Sequence, residues 1–230
     1  MENLNTIDIC VVTYNRLCYL QKCITSIFAS TKVKYRLIVL SDCSTDGTNE
    51  WLKEMEDCGK IDLIIINKTN IGSAKSFNRI LSEVKTDWFV MACDDIYFHR
   101  GWDENVIETI NTFNDAGLVS FFNYTRLTFD KGVEKVSDKA WRLLRTGLGA
   151  TAIKTELFNQ TNGFVIPGDF KMGYFTTPFC IEISKVNMKR NKHYITIPSY
   201  ATLMDHHVKL TERKNLSEYE AMRRKEKNHK

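Results

Sequence analysis

Two carboxylates stand side by side at Asp94 and Asp95, at the end of the apolar run Trp88–Cys93. Adjacent carboxylates just past a buried strand repel each other unless a cation or hydrogen-bond donors compensate. Hard oxygen ligands of this kind suit Mn²⁺ or Mg²⁺, which can bridge a carboxylate to a diphosphate. A plain Asp-Asp turn before Ile96 is the competing explanation.

Further clusters carry compatible chemistry. In Ser41-Asp42-Cys43-Ser44-Thr45-Asp46-Gly47-Thr48, Asp42 follows another apolar run. There a carboxylate can accept hydrogen bonds from a nucleobase N–H or from ribose hydroxyls; Asp46-Gly47 reads as turn chemistry. Thr13-Tyr14-Asn15-Arg16 offers a small hydroxyl, an aromatic wall for stacking a base, an amide and a guanidinium. Between Asn70 and Arg79, Gly72 permits a tight loop, and the helix start that follows favours an anion. Lys75 and Arg79, four apart, either contact a diphosphate or form a solvated basic stripe. His206 and His207 follow a short strand and present an imidazole to a metal or diphosphate, or are ordinary structural histidines.

The elements that must position these groups alternate strand and helix. Ile7–Thr13 and Tyr35–Ser41 read as strands buried on both faces. Between them Tyr19, Leu20, Cys23, Ile24, Ile27 and Phe28 paint one helical face, leaving Gln21, Lys22, Thr25 and Ser26 outside. A helix carrying Trp51, Leu52 and Met55, a strand Ile61–Ile66, a helix Ser73–Val84 and the strand Trp88–Cys93 follow. This predicts a mostly parallel, Rossmann-like sheet flanked by helices, whose ligands bind at the carboxyl ends of the strands. Each cluster falls at such an end. The second half is less regular: a helix Glu104–Asn114, a strand Leu118–Phe122, and a hairpin turning at 130–132. A small-residue segment Gly147–Ala152 comes next, with a helix Lys154–Asn159 and another from Pro178. Strands Tyr194–Ile197 and Tyr200–Leu203 and a polar helix Ser217–Lys227 complete the expectation.

Composition limits the alternatives. The chain has 230 residues, only three prolines and no linker-like stretch, so a single domain is expected. Within it, residues 1–100 are expected to carry the nucleotide-type clusters above, 101–210 to form a layer that receives a second substrate, and 211–230 the C-terminal helix. A net charge of +4 does not indicate a nucleic-acid binder. The basic cluster from Arg223 to Lys230 is a solvated helix end or a peripheral contact with an anionic membrane surface. The polar N-terminus lacks a secretory pattern and no apolar run approaches a membrane span, so a cytoplasmic location is expected. Seven cysteines without a CxxC pair fit a reducing compartment; Cys10, Cys23 and Cys93 read as core residues.

In order, the motifs Thr-Tyr-Asn-Arg, Leu-Ser-Asp-Cys-Ser-Thr-Asp-Gly-Thr, Asn-Ile-Gly with a later Asn, and strand-Asp-Asp resemble family-2 glycosyltransferases of the GT-A fold. The resemblance is dense over the first hundred residues. It implies that Thr13, Asn15 and Asp42 contact uridine or another nucleoside, that Asp95 is the metal ligand, and that Asp94 lies nearer the ribose. Gly149 to Phe164 is similar to the family's acceptor-side segment ending in Gly-Gly-Phe, with Asn162 in place of the first glycine. A C-terminal histidine on the metal, His206 or His207 here, is an analogy with several GT-A families.

One departure stands out. Inverting members place a carboxylate at the start of the helix after that segment, where it deprotonates the acceptor; this chain has Thr177-Pro178 there. Asp169 and Glu182 are the nearest carboxylates and are the candidate bases, Asp169 slightly ahead. The implied activity is metal-dependent transfer of a sugar from a nucleotide-diphosphate donor, a UDP-sugar in first place, to a glycan or other hydroxyl acceptor, with inversion. The rivals are a non-catalytic nucleotide-sugar or glycan-binding module that has lost its base, and a nucleotidyltransferase. The latter would carry a Gly-rich phosphate loop after the first strand.

Overall fold

The computed structural model describes residues 6–122, 134–143, 148–164, 182–183, 185–186 and 193–203. The turn at 130–132, Asp169, the helix start at Pro178, His206, His207 and the C-terminal helix with its basic cluster lie outside the described residues.

The expected alternation is present. Strands β1 (Ile7–Thr13), β2 (Tyr35–Ser41), β3 (Leu63–Ile66) and β4 (Trp88–Cys93) alternate with helices α1 (Leu17–Ser30), α2 (Thr48–Asp57) and α3 (Ser73–Leu81). They pair in parallel in the order β3-β2-β1-β4. Chain order therefore reverses between β1 and β4, which opens a crevice at their carboxyl ends. Side chains alternate across β1: Ile9 and Val11 pack with Leu20, Ile24 and Ile27 of α1, whereas Cys10 and Val12 pack with Phe77 and Ile80 of α3. Helices thus cover both faces, which is why these strands read as continuous apolar runs.

Beyond β4 the sheet becomes mixed. The short β5 (Ile96–Phe98) leads to α4 (Trp102–Thr112) and β6 (Ala116–Phe122), then to the hairpin β7 (Glu134–Ser137) and β8 (Ala140–Leu143). Strand β9 (Ala150–Lys154), a single turn α5 (Thr155–Phe158) and β10 (His193–Leu203) follow. The described order is β3-β2-β1-β4-β9-β6-β10-β8-β7, with β5 paired to β10. The segment predicted only as small residues is β9, inserted antiparallel between β4 and β6. Ala150 and Ala152 are fully buried there, so close packing between neighbours outweighs their weak strand propensity.

Several local expectations are corrected. Ser26 is buried, because its hydroxyl accepts the Phe98 amide at 2.9 Å and donates to the Cys23 carbonyl at 2.6 Å. Strand β3 begins at Leu63 rather than Ile61; the Asp62 carboxylate accepts the Leu37 amide at 2.8 Å, just before the ladder starts. The two strands expected at the end are one, β10, with a register shift between Thr196 and Ala201. Pro198 falls in that interval and supplies no N–H to a ladder. The described cysteines are all free, and burial pushes the thiols of Cys10 and Cys23 far up, as fits inert core residues.

Candidate active site

The carboxyl ends of β1 and β4 meet at Asp94 and Asp95, which are 4% and 9% exposed. Thr13, the last residue of β1, donates its hydroxyl to Asp94 Oδ2 at 2.7 Å. Arg16 reaches back from the start of α1, and one nitrogen serves both carboxylates: Nη1 lies 3.0 Å from Asp94 Oδ1 and 2.9 Å from Asp95 Oδ2. Burial raises the Asp94 carboxyl, Arg16 lowers it, and Asp95 raises it further. The balance leaves its pKa pushed up to about 6, despite the Thr13 hydrogen bond. Burial is the largest cause of that rise, and Arg16 is a cation the two carboxylates share.

The rim beside the pair is built from two loops stitched together. Asn15, at φ 51°, donates its amide to Ser44 Oγ at 3.0 Å and accepts the Thr45 amide on Oδ1 at 2.7 Å. Cys43, the other described non-glycine residue with positive φ, lies in the partner loop at 64°. Strained backbone gathered at one place marks a site whose surroundings over-determine it. Tyr14 stands 45% exposed on this rim, with the ring surface that stacking a base requires. Asp46 is turn chemistry as expected, and more: it accepts the Leu17 amide at 2.9 Å and the Thr48 hydroxyl at 2.5 Å, capping α1 from another loop.

Asp42 has a task that the sequence did not reveal. It is 2% exposed, and Oδ1 accepts Asn67 Nδ2 at 2.7 Å and the Ile71 amide at 3.0 Å, while Oδ2 accepts the Gly72 amide at 2.9 Å. The carboxylate therefore organises the Asn70–Gly72 loop. Gly72 has φ 85° and ψ 158°, a region open essentially to glycine alone, and its amide also bonds Asn70 Oδ1 at 3.0 Å. Lys75 and Arg79 are both exposed but not equivalent: the Arg79 guanidinium bonds Asn67 Oδ1, and no such bond is seen for Lys75 among the described residues.

Asn67 is the first residue after β3, at the same strand-end edge as Asp42 after β2, and its amide is one of the donors that hold Asp42. Asn78, the later Asn of the Asn-Ile-Gly motif, has a different partner. Its amide accepts the Phe164 N–H at 2.7 Å and donates to the Phe164 carbonyl at 2.8 Å, tying α3 to the segment that follows α5. Gly163 is required there, since it has φ +69° and a Cβ would meet Asn78 Oδ1 at 2.6 Å.

Glu182 is engaged in the same region. Its Oε1 accepts both the backbone amide and Nδ2 of Asn162 at 2.8 Å, so the residue replacing the family's first glycine is held by this candidate base. Among the described residues no group of three or more His, Cys, Asp or Glu is arranged to hold a metal. The other expected ligands, His206 and His207, and the candidate base Asp169 lie outside them.

A parallel four-strand half, an acidic pair at its switch point and a mixed second half place the chain in the GT-A fold class. A solved structure of that class, a mannosyltransferase from Pyrobaculum calidifontis in complex with GDP-Man and Mn²⁺, aligns over 95% of this chain and 60% of its own with TM-score 0.67 and 16% identity. TarS residues 1–349 of S. aureus in complex with UDP-GlcNAc aligns over 88% of this chain and 59% of its own, with TM-score 0.64 and 16% identity. The model of glycosyl transferase family 2 matches residues 8–167, and the chain belongs to that family. A glycosyltransferase of Haemophilus influenzae with no assigned reaction is 34% identical over 108 residues, 46% of this chain and 33% of that relative. The chain thus spans about a third of that relative's length.

Proposed function

We propose that the chain transfers a sugar from a nucleotide-diphosphate donor, a UDP-sugar in first place, to a glycan or other hydroxyl acceptor, with inversion and with a divalent cation at Asp95. The observation that carries this reading is the buried pair Asp94 and Asp95 at the β1–β4 switch point, bound by Thr13 and Arg16. The donor complexes of the GDP-Man- and UDP-GlcNAc-bound relatives in fold support the donor class.

The residues present fit Mn²⁺ or Mg²⁺, because two adjacent, nearly buried carboxylates offer hard oxygen ligands at the strand ends where a diphosphate would lie. Asp95 would hold the ion and Asp94 would lie towards the ribose. When bound, such an ion neutralises charge developing on the departing diphosphate. Thr13 keeps Asp94 oriented, Tyr14 offers its ring to the base, and Asn15 fixes the rim on which nucleoside hydroxyls are recognised. Asp42 acts through the loop it organises, aiming the start of α3 at the diphosphate.

Asp169 is the base in this reading, because Glu182 is committed to Asn162. Asp169→Asn then loses transfer to an acceptor found in a sugar panel while keeping UDP binding. A non-catalytic nucleotide-sugar-binding module is the second reading, favoured by that same engagement of Glu182. Slow release of UDP from a UDP-sugar without acceptor separates the two. The first test is a thermal-shift screen of nucleotide sugars with and without Mn²⁺, since a ligand of the native state raises its melting temperature by mass action. A shift with UDP-sugars that Mn²⁺ enlarges is the expected result, and no shift with any nucleotide sugar removes the proposal.

A further inference from the structure

We propose that Arg16 is the resident counter-cation of Asp94 and Asp95, holding these carboxylates in alternation with the divalent cation, so that the ion binds tightly only once a diphosphate takes over the guanidinium. The inference rests on the proposed metal-dependent reading and deepens it.

Nη1 of Arg16 bonds one oxygen of each carboxylate, at 3.0 and 2.9 Å. An ion liganded by Asp95 needs oxygens of this same pair. Two cations within hydrogen-bond reach of each other repel strongly where water is scarce, so both cannot use the pair comfortably. The geometry makes Arg16 the partner that moves. Its side chain is 31% exposed, against 6% and 12% for the two carboxylates, so it approaches from the solvent side while they approach from the core. Arg16 also precedes α1 rather than lying within it, with φ −143° and ψ 42°, so departure of its side chain breaks no helical turn.

While it bridges the carboxylates the guanidinium also lies 5.5 Å from the centroid of the Tyr19 ring, a weak cation–π contact. A diphosphate beside the acidic pair offers the displaced guanidinium a stronger partner, because the planar fork of arginine matches phosphate oxygens in pairs. Donor binding would then release the carboxylates and accept the arginine in one exchange. Metal and nucleotide therefore couple positively, and by linkage each strengthens the other by the same factor.

The test measures Mn²⁺ binding directly, by the electron paramagnetic resonance signal of free Mn²⁺, in wild type, Arg16→Gln and Arg16→Lys, each with and without UDP. Wild type should bind Mn²⁺ weakly alone, and UDP should tighten it by about tenfold or more, the usual scale of coupling between sites. R16Q should bind Mn²⁺ alone about tenfold more tightly than wild type, with a smaller gain from UDP. R16K should fall between them. Should R16Q unfold in metal-free buffer, Mn²⁺ titration of its melting temperature reads the same affinity, and R16K keeps a cation that supports the fold. Equal or weaker Mn²⁺ binding by R16Q and R16K, with wild type binding normally, overturns the role of Arg16 and leaves the proposed function standing. No Mn²⁺ binding by any of the three in the presence of UDP overturns both.

Discussion

The side-chain amide of Asn78 and the backbone of Phe164 exchange a reciprocal pair of hydrogen bonds, 2.7 and 2.8 Å long, across 86 residues of sequence. Phe164 is 3% exposed and packs its ring 5.8 Å from that of Phe77, so the contact joins helix α3 to the segment that follows α5. Asn78→Ala leaves a partly buried N–H and C=O without these partners, at a cost of about 1–3 kcal/mol. In a protein of this size that is a fall in melting temperature of roughly 2–4 °C per kcal/mol. Gly163→Ala should be at least as damaging, because both its φ and the nearby Asn78 Oδ1 oppose a Cβ. Calorimetric melts of the two variants check this; wild-type melting of both would show that the bridge carries no stability.

A second expectation concerns Asp42. Because its carboxylate holds the amides of Ile71 and Gly72, Asp42→Ala should loosen the loop before α3 and weaken UDP binding by about 1–3 kcal/mol. Asn67→Ala removes a neighbouring donor to the same carboxylate and should weaken binding in the same direction, by less. Isothermal titration with UDP reads both. Unchanged affinity in Asp42→Ala would place the nucleotide away from this loop.

Acid sensitivity follows from Asp8, buried in β1. Burial raises its carboxyl pKa, but Arg36, bound through Nε and Nη2 at 2.9 Å each, and the amides of Lys85 and Thr86 lower it further, leaving it below the ordinary 3.8. A depressed carboxyl stabilises the fold at pH above its unfolded value, and that contribution is lost as pH falls through the folded value. Asp8→Asn should therefore cost about 3 kcal/mol at neutral pH, the lower end for breaking a buried pair because Arg36 keeps some contact with water. As pH falls below the ordinary 3.8 the gap to wild type should begin to narrow, and it should close only once pH has passed the folded value. Urea unfolding from pH 7 to pH 3 measures the gap, and a constant gap over that range would contradict the assignment.

Much of the first half was legible because its signals are local. Strands such as Ile7–Thr13 are apolar on both faces, and the polar residues that end them converge on one edge by a topological rule. The second half hid its elements for physical reasons. Strand β9 is rich in alanine and is a strand only through its neighbours β4 and β6, and β5 is three residues long. Residues whose work is a long-range hydrogen bond, such as Ser26, Asn67 and Asn78, carry no periodic signature. Asp42 was recognisable as a carboxylate ending a strand, but the donors that surround it belong to another loop.

The central claim is that Asp95 holds a divalent cation that activates a nucleotide-sugar donor. Its most direct test is release of UDP from UDP-sugars without acceptor, compared in Mn²⁺ and in chelator, for wild type and Asp95→Asn. Wild type should release UDP in Mn²⁺ and lose that activity in chelator. Asp95→Asn, folded by circular dichroism, should show no stimulation by Mn²⁺, because losing an anionic ligand of a hard cation removes several kcal/mol of transition-state stabilisation. Release that is the same in chelator as in Mn²⁺, or undiminished in Asp95→Asn, would contradict the account.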